Sequence, residues 1–225
     1  MHPANPDAAG RIGVAILARS PVPGRVKTRL IPLLGEEGAA SLHAWMLQRT
    51  VATALAADIG PVTLWCEGDS GHGDLIDCRQ PGPVHIRSQV AGDLGRRMLA
   101  AVEESPTAGG MLVIGTDGPV LGAAHLRAAA RSIKDHDAVL IPAEDGGYVL
   151  IGMKRPSAGA FAGIDWGSTQ VMARTRQRLA ALAWRWAELA TLWDVDRAED
   201  VERLAAMFPE IRKIPGRNRD ASRTG

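Results

Sequence analysis

Short apolar runs bounded by turn residues alternate along this chain with stretches whose apolar positions recur at helical spacing. The runs Ile12 to Ala18, Pro61 to Cys66, Val84 to Arg87 and Met111 to Ile114 have the length of strands, and the last is apolar at every position, as a strand buried on both faces requires. Between them, amphipathic spacing predicts a long helix from about Glu36 to Asp58. A second helix opens at Gly92-Asp93 and runs through Met98 to Glu104, and a third spans about Ala123 to Lys134. Ala138 to Pro142 and Tyr148 to Met153 flank a Glu-Asp-Gly-Gly turn and predict a hairpin or one bent strand. Ser168 then caps a helix reaching about Leu182, a short Trp-rich strand follows, and a last helix begins near Arg197 and stops before Pro209. Strands and helices in alternation stack as βα units, which makes the chain α/β with a mostly parallel sheet.

Length and composition narrow this picture. The 225 residues contain no repeat and no low-complexity linker, so one domain over 11–209 is expected, between a disordered 1–10 and a basic, disordered 210–225. The formal net charge is +1, and the tail cations Arg212, Lys213, Arg217, Arg219 and Arg223 lack aromatic interleaving, so nucleic acid is not an expected partner. Cys66 and Cys78 have no metal-ligand spacing. No run approaches the ~18 apolar residues of a spanning helix, and the N-terminus does not read as a secretion signal. A cytoplasmic protein without a membrane partner is the expectation.

Four clusters could carry chemistry. In the first, Ala18 to Leu30 directly follows the first strand, where open α/β sheets bind ligands. Pro23 stiffens it, Gly24 permits close backbone approach, and Arg25, Lys27 and Arg29 bring three cations together, which suits a polyphosphate. An exposed basic turn is the alternative. The Walker pattern is absent. In the second cluster, Thr116-Asp117-Gly118-Pro119 ends the apolar Met111 run, and one carboxylate there can anchor Mg²⁺, which otherwise takes waters and substrate phosphates. A helix N-cap before proline would explain Asp117 equally well.

In the third, Glu144 and Asp145 precede Gly146-Gly147 and are assigned, with those glycines, to the acceptor side, although Asp-Gly is also a hairpin signal. In the fourth, Asp194 and Asp196 alternate on an extended segment before the last helix. Asp196 with Glu199 forms a capping box, yet one of the two aspartates remains free to complete a metal site with Asp117. A lesser signal is the helix start at Gln89, Gly92, Asp93, Leu94 and Gly95, whose amides could receive an anion or a ring edge. Trp166, beside Gly167-Ser168, could line an acceptor cleft. His43 on the long helix is better explained by packing.

In this order the clusters resemble a bacterial family of GT-A-like transferases of the nucleotide-diphospho-sugar transferase superfamily, commonly described as glycosyltransferases and found near radical-SAM genes. Residues 21–30, 89–98, 115–121, 142–152 and 194–200 answer in turn to P-x-P-G-x-V-K-T-R-L, Q-x-x-G-D-L-G-x-R-M, G-T-D-x-P-x-L, P-A-x-D-G-G-Y-x-L-I-G and D-x-D-T-x-E-D, and the match spans nearly the whole chain. The resemblance implies a three-layer α/β/α sandwich and a nucleotide or nucleotide-sugar bound with Mg²⁺ or Mn²⁺. It also implies metal ligation by Asp117 and Asp196; the expected catalytic residues are Lys27, Asp117 and Asp145. Arg197-Ala198 stands where Thr-Pro is usual, and Gly118 where Cys or Ser is. The function expected is Mg²⁺-dependent glycosyl transfer from an NDP-sugar to a small-molecule acceptor. The alternatives are nucleotidyl transfer from an NTP, releasing pyrophosphate, and nucleotide binding without catalysis.

Overall fold

The computed structural model describes residues 10–68, 73, 82–104 and 107–215. Seven strands form one sheet among them: β1 (Gly13–Arg19), β2 (Val62–Glu67), β3 (Val84–Ser88), β4 (Met111–Ile114), β5 (Ala138–Pro142), β6 (Tyr148–Met153) and β7 (Trp186–Glu188). Their order is β3-β2-β1-β4-β6-β5-β7, and all neighbours run parallel except those of β6, which is antiparallel to β4 and β5. The pair across the Glu-Asp-Gly-Gly turn is therefore a hairpin. Its register shifts at Ile141/Pro142, where proline has no N–H to give the ladder.

The α-helices whose bounds can be given among the described residues are α1 (Ile31–Ala57), α2 (Leu94–Glu104), α3 (Ala123–Ser132), α4 (Val171–Ala181) and α5 (Ala198–Met207). Alternation along the strands sorts them into layers. Val14, Ile16 and Ala18 share a core with Leu47 and Val51 of α1 and Leu126 of α3. Ala15, from the opposite face of the same strand, packs with Met98 of α2 and Leu179 of α4. The result is a three-layer α/β/α sandwich. A third cluster joins Leu34, Leu42 and Met46 of α1 to Trp193, Val195 and Leu204, and it ties α5 to one end.

Several boundaries differ from the sequence expectation for local reasons. Gly35 adopts φ 70° inside α1, so one helical turn precedes the expected start at Glu36. Ser168 does not cap α4; that helix opens after Gln170, while the Ser168 hydroxyl donates to the Asp165 carbonyl. Asp196 is not the N-cap of α5 either. Arg197 holds that position, and the carboxylate of Asp200 accepts the amides of Asp196 and Arg197 at 3.0 and 2.7 Å. Past residue 209 a 3-10 turn, Pro209–Lys213, buries Ile211. The segments 1–9 and 216–225, where disorder was expected, lie outside the described residues. No helix among the described residues is long and apolar enough to cross a membrane.

Candidate active site

The loop after β1 is fastened to the core rather than hanging from it. Val26 and Leu30 are buried, Gly24 adopts φ 75° with the Glu36 carboxylate packed against its Cα, and the Arg25 amide donates to the Val22 carbonyl. Between the two buried anchors Lys27 takes the left-handed conformation at φ 46°, which costs a side-chain-bearing residue free energy and aims the chain inward. Its side chain is only 5% exposed, and its Nζ lies 2.8 Å from Asp117 Oδ1 and donates to the Val195 carbonyl at 2.5 Å. Pro23, Arg25 and Arg29 stay at the surface.

Asp117 follows β4 and caps no helix, since α3 begins after Gly122. Its side chain is 55% exposed, next along the chain from the buried Thr116. Partial desolvation would raise its pKa, but Lys27, helped by His43 and Arg19, outweighs this and holds the carboxyl below its ordinary range. The Asp117 carbonyl accepts the Val195 amide at 2.8 Å, so the segment before α5 crosses directly beside it. Trp193 and Val195 point into the third cluster, which turns Asp194 and Asp196 together toward the cleft.

The two aspartates then part company. The carboxylate of Asp196 pairs with Arg29. That of Asp194 is pushed up to about 6, first by burial and then by the charges of Asp145 and Asp117, so these three carboxyls share one field. Asp145 arrives because the segment before Asp194 continues the sheet beside β5: Leu192 donates to Pro142 O and Glu144 donates to Leu192 O, both at 2.9 Å.

On the side where an acceptor was expected, Asp145 Oδ1 accepts the Gly147 amide at 2.8 Å, so this residue shapes its turn as well as lying near Asp194. Gly146 adopts φ 92°, and a Cβ there would lie 2.2 Å from the Thr169 carbonyl oxygen. Glu144, expected at the acceptor, instead makes a two-pronged ion pair with Arg203 of α5 at 2.8 and 3.1 Å, and Arg203 lies over Trp193. Trp166 stands edge-on to Tyr148 and presses on Gly95, where a Cβ would come within 2.7 Å of its ring.

Gln89 is locked between strand ends, its Nε2 donating to the carbonyls of Ala18 and Trp65 at 2.8 and 2.9 Å, which leaves Oε1 for a ligand. Asp93 accepts the Arg96 amide at 2.8 Å and so closes the first turn of α2, while Gly92 (φ 128°) and Leu94 are exposed.

Sequence reasoning passed over a triad at the same strand ends. Glu67 pairs in register with Arg19, and its Oε2 accepts Arg19 Nε at 2.8 Å and Arg97 at 2.6 Å. The only local signal was a charged residue closing each of two apolar strands. His43, assigned to packing, is buried, and its Nε2 donates to the Arg19 carbonyl at 3.1 Å.

Among the described residues no group of three or more His, Cys, Asp or Glu side chains is placed as a metal cage. Mg²⁺ does not need one, because it keeps several waters and binds through one or two carboxylates and substrate phosphates. The hard carboxylate oxygens of Asp117, which faces Lys27, and of Asp194, which burial and its acidic neighbours hold short of ionising readily, suit such an ion.

A protein from Desulfovibrio desulfuricans G20, provisionally assigned as a nucleotide-diphospho-sugar transferase, is 26% identical; the match covers 93% of this chain and 88% of that one, with a TM-score of 0.76. A nucleotidyl transferase from Methanothermobacter thermautotrophicus is similar at 15% identity, over 89% and 98% of the two chains, with a TM-score of 0.61. Rv0371c from Mycobacterium tuberculosis H37Rv, in complex with manganese, matches at 19% identity over 86% and 97%, with a TM-score of 0.54. No curated protein sequence matches significantly. The fold is thus the one used by nucleotide-dependent transferases. The profile of a family described as uncharacterized proteins conserved in bacteria (DUF2064) matches residues 50–168, more than half of the sequence, and the chain belongs to that family.

Proposed function

We propose that the protein is a metal-assisted transferase that moves a glycosyl group from an NDP-sugar to a small-molecule acceptor. The observation that carries this reading is the Lys27–Asp117 pair at the carboxyl ends of β1 and β4, beside Asp194. Lys27, Arg25 and Arg29 neutralise donor phosphates, and Gln89 Oε1 and the Gly92 loop border the nucleoside. A divalent ion, Mg²⁺ or Mn²⁺, held by Asp117 would supply electrostatic stabilisation of the departing diphosphate. Asp194 is the better second ligand than Asp196, because it lies in the field of Asp145 and Asp117, which a cation would relieve, whereas Asp196 already pairs with Arg29. Asp145, with Oδ1 occupied by its own turn, offers Oδ2 to the hydroxyl proton of the acceptor, and Trp166 walls that side.

Nucleotidyl transfer is the second reading, favoured by the number of cations at the first loop, which suits a triphosphate. A thermal-shift screen of NDP-sugars and NTPs with and without Mg²⁺ tests the shared part, since a ligand of the native state raises its apparent stability. Stabilisation that requires both nucleotide and metal is expected; no shift with any nucleotide overturns the proposal. Release of NDP from an NDP-sugar, against pyrophosphate from an NTP, separates the two readings.

A further inference from the structure

The loop between β3 and α2 must hold its shape if it is to border a nucleoside, yet Gly92 is exposed and in a conformation with φ 128°. Its carbonyl is fastened by a side chain: Arg97 Nε donates to it at 3.0 Å. The same guanidinium donates through its NH1 nitrogen to Glu67 Oε2 at 2.6 Å, and that oxygen also accepts Arg19 Nε at 2.8 Å. One carboxylate oxygen therefore joins the end of β1, the end of β2 and the loop before α2. The Arg97 hydrogen bond outweighs the partial burial of Glu67, Arg19 adds to it, and the carboxyl stays below its ordinary range and ionised at neutral pH.

Charge and geometry leave a remainder. Two guanidinium ions on one carboxylate carry a net positive charge, and Arg19 is 61% exposed with, among the described residues, its Nε bonded to the protein. Its backbone is fixed from below, the carbonyl by His43 and the following amide, that of Ser20, by the Glu67 carbonyl at 3.1 Å. A guanidinium held by Nε presents its two terminal nitrogens as a fork of the kind that matches phosphate oxygens.

We infer that Glu67 is a positioning residue of the donor site, setting the Arg19 fork toward a donor phosphate and, through Arg97, locking the Gly92 loop beside it. The inference rests on the donor-site reading above. It is tested by Glu67→Gln, which keeps shape and removes charge, with Glu67→Asp, Arg19→Gln and the double variant Glu67→Gln/Arg19→Gln. ADP, GDP, CDP, UDP and inorganic pyrophosphate serve as probes in titration calorimetry with Mg²⁺, beside hydrogen exchange of the ligand-free proteins. Glu67→Gln is expected to weaken the best nucleoside diphosphate roughly tenfold or more, as for loss of a charge-assisted hydrogen bond. Amide exchange should quicken in 19–25 and 90–97, with the thermal midpoint nearly unchanged. Glu67→Asp recovers part of the affinity, and the double variant loses less than the sum of the two single losses, because part of the effect of Glu67 passes through Arg19 and the rest through Arg97. Wild-type affinity in Glu67→Gln, additive losses, or exchange that quickens evenly across the chain overturns the role of Glu67 alone. A wild-type protein that binds none of the probes overturns the donor-site reading together with it.

Discussion

Lys27 combines three features that ordinary surface lysines lack: a left-handed backbone, a nearly buried ammonium and a carboxylate partner from another strand end. Removing that partner leaves the cation with only the Val195 carbonyl. Asp117→Asn should therefore lower stability by roughly 1–3 kcal/mol, toward the smaller figure because Asp117 opens to water, and should also abolish Mg²⁺-dependent nucleotide binding. Urea denaturation and calorimetry on the one variant measure both; unchanged nucleotide affinity would remove Asp117 from the site. The neighbouring aspartates make a second test. Asp194→Asn is expected to lose Mn²⁺ binding followed by electron paramagnetic resonance, whereas Asp196→Ser, whose parent carboxylate serves Arg29, keeps it. The reverse result would return the second ligand to Asp196.

At the scale of elements, the end of α5 that faces the site depends on Asp200, whose carboxylate accepts two backbone amides. Asp200→Ala should cost about 1 kcal/mol, as loss of an N-terminal cap does, while Glu199→Ala changes stability little. Thermal unfolding of both variants checks this. The acceptor turn depends on Gly146 in another way. A Cβ there would meet the Thr169 carbonyl oxygen, and the Gly146 carbonyl accepts the Met172 amide at 2.8 Å, so turn and α4 are packed backbone to backbone. Gly146→Ala should destabilise the protein through both φ and contact, and faster amide exchange at 143–148 and 169–173 would report it.

For the whole molecule, the burial of Asp194 and, after it, the charges of Asp145 and Asp117 make stability depend on pH. Asp194 holds its proton up to about pH 6 in the folded chain, against roughly 3.9 for an unfolded aspartate. Between those values this residue binds more proton in the native state than in the unfolded one, so the contribution of Asp194 to metal-free stability should fall as pH rises from about 4 to 6 and stay lower above it, against the opposite slope of the lowered Asp117 and Glu67 carboxyls. Asp194→Asn should flatten that slope. Because protons and a divalent ion compete for these carboxylates, Mg²⁺ should stabilise the protein more at pH 7 than at pH 5. Denaturation curves across this range, with and without Mg²⁺, decide the matter, and a wild-type slope in Asp194→Asn would remove Asp194 as its source.

The α/β class, nearly every strand and most helices could be read from the chain, because apolar period and turn residues are local properties, and β4 is apolar at all four positions. The loop cations and Asp117 could be singled out as candidates for a related reason: in such a sheet, ligands bind where strands end. Tertiary structure alone decided what depends on distant partners. Arg29 and Asp196 are separated by 167 positions, Glu144 and Arg203 by 59, and Arg19 and Glu67 by 48. Asp194 and Asp196 share a face and a residue type, so nothing local distinguishes them. Their different surroundings follow from Arg29 reaching one, and from burial and β5 carrying Asp145 to the other. Electrostatic roles are fixed by neighbours in space, and the chain specifies those only by folding.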